Sequence, residues 1–541
     1  MEHQRLLLAL GLSVFVLFGW QALSKFMGWT PPPIIGTLPQ ENPPVSSVSP
    51  PVPPSAPLHM ESPAQATPGG QDVLLETPLY SARFSSNGGT IKEFTLKRYK
   101  AVHPESGRAV DAPLRLIGPG SPKTLELIIG GQPGWAENAA WSYAGEEQIL
   151  LDNGETTIHF TASKDGLSIR RSYTFSADNY LVRELLQASS PTAQSLDITR
   201  ALAVDSLAGA GDYMKSTKIV FMRGNDFKDE EDLQTLSAGV NYGEQITWAG
   251  TMSSYFLAAV IPDDPDLSLR ALHQNGRYIL LLEKRQAALS ANRDFQSELT
   301  YYFGPKRHAD MAAAPADISA SLEYGWFGWI AVPLLAMLKW FHSYVGNWGV
   351  SIILLTVLVK IVLWPLSYKS YKSMDGMRKL QPLMQKIREK YPDDRQRQNQ
   401  EVMQLYKTYK INPMGGCLPI LVQLPVFFGL YRALLSSIEL RHAGFIERLP
   451  FTDMVWLADL SSKDPLYVTP LIMGATMLLQ QKMTPTSGDP IQSKMMMFMP
   501  VIFTFLFLSF PSGLVLYWLF NNIISIMQQY GQTKLSARNQ N

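Results

Sequence analysis

Cys417 is the only cysteine in 541 residues, so no disulfide can form within the chain. A domain outside the reducing cytoplasm must then rely on its own packed core. Charge is also scarce. Asp, Glu, Lys and Arg make up 17% of the residues, against about 25% in an ordinary soluble domain. The net charge is +1, so whole-chain electrostatics give no case for nucleic acid. No Gly-rich loop with a phosphate-binding lysine occurs, and no His/Cys metal spacing. The expectation is therefore no cofactor, no metal and no enzymatic activity.

What the chain has is apolar length. Residues 6–20, preceded by Arg5, predict a first apolar helix. Ala22-Leu-Ser24 would serve as a cleavage site if this were a signal peptide. Trp20 and Trp29 suit interfacial anchors, which favours an uncleaved transmembrane signal anchor over 1–24. Residues 31–68 hold thirteen prolines and no Lys or Arg. That composition predicts a disordered, extended linker over 25–71.

Residues 72–320 change character. Alternating segments such as Thr90–Tyr99 and Leu167–Phe175 are separated by turn signals, including Asn87-Gly-Gly and Asp152-Asn-Gly. This pattern predicts an all-β sandwich. It shows no catalytic constellation; Asp205, Asp212 and His273 read as surface or capping groups. The stretch 321–345 contains Pro333 and Lys339, which cut its apolar run short, and it reads as an interfacial amphipathic helix.

Apolar segments at 347–366, 416–435, 466–482, 496–509 and 514–530 predict five more spans. Segment boundaries follow as a second transmembrane helix at 346–366, a helical hairpin at 367–413, four further spans over 414–530 and a short tail at 531–541. Residues 367–413 carry eleven Lys/Arg against five Asp/Glu, which places this loop in the cytoplasm. Six spans then put both termini in the cytoplasm and the β domain outside. In the hairpin, Met374, Met377, Leu380, Met384 and Ile387 follow helical spacing, as do Val402, Leu405, Tyr406 and Tyr409. Asp394 suits the N-cap of the second helix, and Asn412-Pro-Met-Gly-Gly416 suits its end. The stripe packs on itself. The exposed Arg378, Lys379, Lys386, Arg388, Arg395 and Arg397 would meet ribosomal RNA, a targeting factor or anionic head groups.

One residue breaks the apolar pattern. Lys360 stands alone in the second span. An ammonium at that depth costs several kcal/mol unless it meets water or a partner, so it marks a candidate site. Thr356 lies one turn before it on the same face. Gln423, Gln480, Thr504, Asn521, Asn522 and Ser525 lie on the other spans; of these, Gln423, Gln480 and 521–525 fall mostly in the cytoplasmic half. Two readings stay open from spacing alone: a shared polar cavity open to the cytoplasm, or separate hydrogen bonds between helices worth about 0.6 kcal/mol each, with Lys360, four residues before Trp364, snorkelling to the inner interface.

Asn347-Trp-Gly-Val-Ser-Ile-Ile, the lone basic residue at 360, Asn412-Pro-Met-Gly-Gly-Cys-Leu-Pro419, Gln423-Leu-Pro-Val-Phe427 and Phe510-Pro-Ser-Gly-Leu-Val-Leu-Tyr517 form a set of motifs. Together they closely resemble those of the YidC membrane protein insertases. The resemblance covers the whole chain. It implies an α-helical polytopic membrane core, a five-helix insertase bundle plus an N-terminal anchor helix, with a periplasmic all-β supersandwich domain. It also implies a hydrophilic groove in the inner membrane, with Lys360 as its charge, and client contacts near Phe427, Phe428, Tyr517 and Trp518. The implied partners are nascent membrane protein clients, the Sec translocon and its accessory subunits, the ribosome or signal recognition particle, and the phospholipid bilayer. Two departures matter. The groove residue is commonly Arg in the family and is Lys here, which keeps the charge but loses the bidentate fork. The tail carries only Lys534 and Arg538, so a long basic ribosome-binding tail is not supported. Rival readings are a small-anion transporter, a sugar-modifying envelope enzyme and a non-catalytic assembly subunit. The chain has no internal repeat to favour the first and no carboxylate pair to favour the second.

Overall fold

The computed structural model describes residues 71–538 except 103–108, 119–123, 132–134, 208–216, 290–293, 323, 393, 412–417 and 485–489. The expected anchor, the linker through residue 70, Asp212, the stop at 412–416 and the Arg395 side chain lie outside the described residues.

Residues 72–305 form three sheets of five, nine and five strands. The alternation predicted at Thr90–Tyr99 and Leu167–Phe175 is realised in the strands Thr90–Val102 and Leu167–Ser176. Successive side chains on a strand point to opposite faces. The strand Leu181–Ser189 shows the result, with Val182, Glu184, Leu186 and Ala188 all buried. The turn at Asn87-Gly-Gly needs its glycines. Gly88 and Gly89 have φ of 81° and 61°, and a Cβ on Gly89 would sit 3.0 Å from the Phe160 ring. One apolar core draws on all three sheets, with Phe84, Phe160, Tyr173 and Trp248 among its large members.

The remainder is helical. The main helices are α1 (Gly328–Val345), α2 (Trp348–Val362), α3 (Trp364–Lys390), α4 (Arg395–Thr408), α5 (Leu418–Ser436), α6 (Val468–Met483), α7 (Pro490–Phe507) and α8 (Ser512–Arg538). Gly346, at φ 66°, ends α1, and the Asn347 carboxamide caps α2 by accepting the Val350 N–H at 3.0 Å. The segment expected as one continuous span at 346–366 is not continuous. It breaks at Leu363, where α2 and α3 meet at a bend of 65°. Pro365, in the first turn of α3, lacks the N–H that a continuing helix would bond, which suits it to a helix start. Among the described residues no single helix is long and apolar enough to cross a membrane, though the α2–α3 pair passes together. The short segment 496–509 begins earlier than its apolar run, because α7 starts at Pro490.

Helices α3 and α4 form the expected hairpin. Asp394 caps α4 by accepting the Arg397 N–H at 2.9 Å. Leu380, Met384 and Tyr406 are buried between them. Helix α8 is the hub, packed against α2, α3, α5 and α6. Helix α1 packs on α2 and α5 through Ala331, Leu334, Leu335 and Leu338, and leaves Trp326 before it and Trp329, Trp340 and Tyr344 exposed. Between α5 and α6, Ile446–Arg448 and Val455–Leu457 pair as a small hairpin. Just before it, Ile438 enters the core of the β domain. Arg441 donates to the Lys100 carbonyl at 3.0 Å and covers the Phe256 ring at 5.3 Å.

Candidate functional site

Lys360 lies in the last turn of α2 and is 7% exposed. Free carbonyls at a helix C-terminus favour a cation there. Its ammonium donates to Ser525 Oγ at 2.6 Å, and Ser525 Oγ donates in turn to the Asn521 carbonyl at 2.8 Å. Among the described residues no carboxylate pairs with Lys360. Its hydrogen-bond partner is therefore uncharged, and among these residues no neighbouring acid offsets the lysine.

The face of α8 carrying Tyr517, Asn521 and Ser525 organises the rest. Gln423 of α5 donates its amide to the Tyr517 hydroxyl at 3.3 Å and also to the Asn521 side-chain carbonyl. Asn522 donates to Thr476 of α6 at 3.5 Å. The structure thus joins Lys360, Gln423, Tyr517, Asn521 and Ser525 in one polar seam where α2 and α5 meet α8. Thr356 is buried nearby, but its hydroxyl donates to the Ile352 carbonyl of its own helix at 2.7 Å. Thr504 likewise donates to Pro500 at 2.7 Å and lies against Gly474, on the α6–α7 contact. Gln480 is half-buried on α6, away from these bonds.

Of the aromatic candidates, Tyr517 is fully buried. Phe427 meets Trp518 edge-on at 5.0 Å, and Phe428 stacks on Phe327 at 5.4 Å. Phe503 and Phe507 of α7 complete this cluster around Trp518. On the hairpin, Arg378, Lys379, Lys386 and Arg397 are exposed and Arg388 is half-buried. Lys379 pairs with Asp375 at 3.5 Å, and Arg397 covers the Tyr391 ring at 5.6 Å.

Three groups escaped the sequence reading. Tyr371, at the base of the hairpin, donates to the Ser525 carbonyl at 3.3 Å and so meets the same residue as Lys360. Gln528 is 7% exposed and both of its amide atoms lack a partner. Gln529 donates to the Met483 carbonyl at 3.0 Å, while its own oxygen is unpartnered. An unpaired buried amide group costs about 1–3 kcal/mol. Polar atoms left open in this way suit water or a polar segment. The spacing of 521, 525, 528 and 529 along one helix was the available signal.

A second charged cluster lies in the β domain. Arg171 and Glu184 are fully buried and bonded at 2.7 Å. Tyr301 donates to the other carboxylate oxygen at 2.7 Å, and Arg171 also donates to the carbonyls of Gly88 and Leu125. With 0% exposure on both sides it ties sheets together and offers no ligand site. Of the residues read as bland, Asp205 pairs with Arg277 at 3.2 Å, and His273 lies 4.8 Å from the Tyr278 ring. Among the described residues no group of His, Cys, Asp and Glu could hold a metal ion.

Comparison with known proteins covers the whole arrangement. Two family models match, one described as "YidC periplasmic domain" over residues 72–337 and one as "60Kd inner membrane protein" over 340–539. A "Membrane protein insertase YidC" of Nitratidesulfovibrio vulgaris is 47% identical over 537 residues, covering 98% of this chain and 99% of that protein. One of the same description from Oleidesulfovibrio alaskensis is 44% identical over 544 residues, covering 99% and 100%. A crystal structure of an active YidC insertase with its first transmembrane domain resolved aligns over 86% of this chain and 93% of that one. Its identity is 20% and its TM-score 0.37.

Proposed function

The chain belongs to the YidC family of membrane protein insertases, and from that premise we propose that the polar seam around Lys360 is the groove through which it passes hydrophilic client segments. The protein is an inner-membrane protein with a periplasmic domain, and nascent membrane proteins are its clients. A hydrophilic segment faces a large dehydration cost in the hydrocarbon core. A polar, positively charged recess shortens the dry path. Lys360 attracts an acidic client segment, while Gln423, Asn521, Ser525 and Gln528 offer it uncharged hydrogen bonds. The client's apolar helix then leaves past Phe427, Phe428 and Trp518 into lipid, driven by its own partition. No nucleotide enters the scheme.

The observation that carries this reading is a buried ammonium held by a hydroxyl and not by a carboxylate. A purely structural lysine would be expected to find a counter-charge. The same reading puts α3 and α4 in the cytoplasm, where the exposed Arg378, Lys379, Lys386 and Arg397 meet the ribosome, a targeting factor or anionic lipid. It puts both termini on that side, and it allows work beside the Sec translocon.

The test is reconstitution of the purified protein alone into proteoliposomes, scored by protease protection of a small client with an acidic translocated segment. Wild type and Lys360→Arg should protect it, and Lys360→Ala should not. Equal protection by the Ala variant removes the charge from the mechanism. No protection by any of them, with the protein folded, assigns an accessory role that needs the translocon.

A further inference from the structure

The hairpin between α5 and α6 carries an unusual tip. Phe451 is fully exposed, and its φ is 67°. For a bulky residue the left-handed region is an outlier and carries strain. The strain is held rigidly. Leu449 donates its N–H to Met454 at 2.9 Å, and the Thr452 N–H and hydroxyl both reach the Leu449 carbonyl at 3.0 Å. Arg448 and Asp453 pair at 2.8 Å across the base of the tip. The neighbouring apolar residues Met454 and Val455 are 52% and 38% exposed. A fixed backbone thus presents a phenylalanine outward at a cost in both conformation and hydration.

The level of the hairpin's base follows from its roots. Asn347 joins α1 to α2, and its amide donates to the Phe445 carbonyl at 3.1 Å, one residue before the hairpin. The Phe445 ring lies so close to Gly349, in the first turn of α2, that no side chain fits there. Asn347 follows directly on the end of α1 that exposes Trp340 and Tyr344, residues suited to the membrane interface. The hairpin therefore springs from the same level as the exposed aromatic face of α1. Its far side is anchored too, because Asp459 and Asp464 accept hydrogen bonds from His442, Ser461, Trp456 and Thr469.

We propose that the 446–457 hairpin is a wedge that seats the Phe451 ring, with Met454 beside it, in the outer leaflet of the bilayer. Large apolar side chains such as Phe suit a depth of about 5–10 Å into the boundary between head groups and acyl chains. The Arg448–Asp453 pair then lies at head-group level, where water and charge remain. The inference rests on the reading above that α5 and α6 cross the membrane.

The experiment uses the full chain in phospholipid vesicles, with Cys417→Ser in a background that still inserts clients. An environment-sensitive fluorophore is placed on Phe451→Cys. Matched labels go on Leu150→Cys, an exposed β-domain site, and on Ile502→Cys, exposed on α7. The quenchers are a doxyl group near the top of the lipid acyl chain and aqueous iodide. The expected result at 451 is blue-shifted emission, strong doxyl quenching and shelter from iodide, unlike Leu150. A wet, iodide-quenched label at 451 beside a doxyl-quenched label at 502 overturns the wedge and leaves the membrane reading intact. Failure of doxyl at both sites overturns both. A label at 451 that is sheltered from iodide but untouched by doxyl means a protein partner, and also overturns the lipid assignment. Phe451→Gly relieves the backbone strain, so its unfolding temperature in detergent should hold or rise. A fall would assign the ring a packing role inside the chain.

Discussion

Glu184→Gln tests the energetics of the β domain most sharply. The variant keeps the shape of the side chain and deletes its charge, leaving Arg171 and Arg200 buried together without a counter-ion. Breaking a buried pair on one side costs about 3–5 kcal/mol. For a unit of this size each kcal/mol shifts Tm by about 2–4 °C, so the β-domain transition should fall by roughly 6–20 °C. The assay is a thermal scan of the full chain in detergent, with Trp248 inside that core as a reporter. The pH dependence has a definite sign. Burial alone would raise the Glu184 carboxyl, but Arg171 and Arg200 outweigh it and hold it below its ordinary value. A lowered folded value gives stability that is fully present above the unfolded pKa and is lost as pH falls through the folded one. The gap between wild type and variant should stay constant from neutral pH downward, and close only below about 4.3, the ordinary Glu value. A Tm unchanged within a few degrees, or a gap that closes near neutrality, would refute the reasoning.

Gly474→Val drives a side chain into Thr504 and should cost about 1–3 kcal/mol by overpacking; Thr504→Ala in the same chain should recover much of it, read by thermal unfolding. Asp394→Ala removes the cap of α4 and should loosen the hairpin by about 1 kcal/mol, seen as faster amide exchange over residues 395–408 with the β domain unaffected.

The sequence made the β domain and the helical core legible because their apolar residues recur with periods of two and of three to four. It marked Lys360 because one charge in an apolar run needs no partner to be noticed. The break at Leu363 was harder to read, because the apolar run continues smoothly through Ile361, Val362 and Leu363 into Trp364 and only backbone geometry divides it. Thr356 and Thr504 looked equivalent to Ser525, yet a threonine in a helix readily bonds its own preceding turn, as these two do. Ser525 also bonds its own turn, but as an acceptor it additionally receives Lys360. Such choices depend on which helices meet, and spacing along one helix does not record that. The Arg171–Glu184 pair was hidden for the same reason: its members sit on neighbouring strands amid ordinary alternation.

Ile438 and Arg441 have a mechanical consequence. The outer domain's core is completed by a residue from the strap between α5 and α6, and the same strap grips Lys100 and Phe256. A domain hung from its ends alone could pivot like a bead on a string. This one is keyed, because Ile438 and Arg441 attach it to the strap between α5 and α6. A force applied to the periplasmic side would then reach the helices around Lys360 by the same linkage.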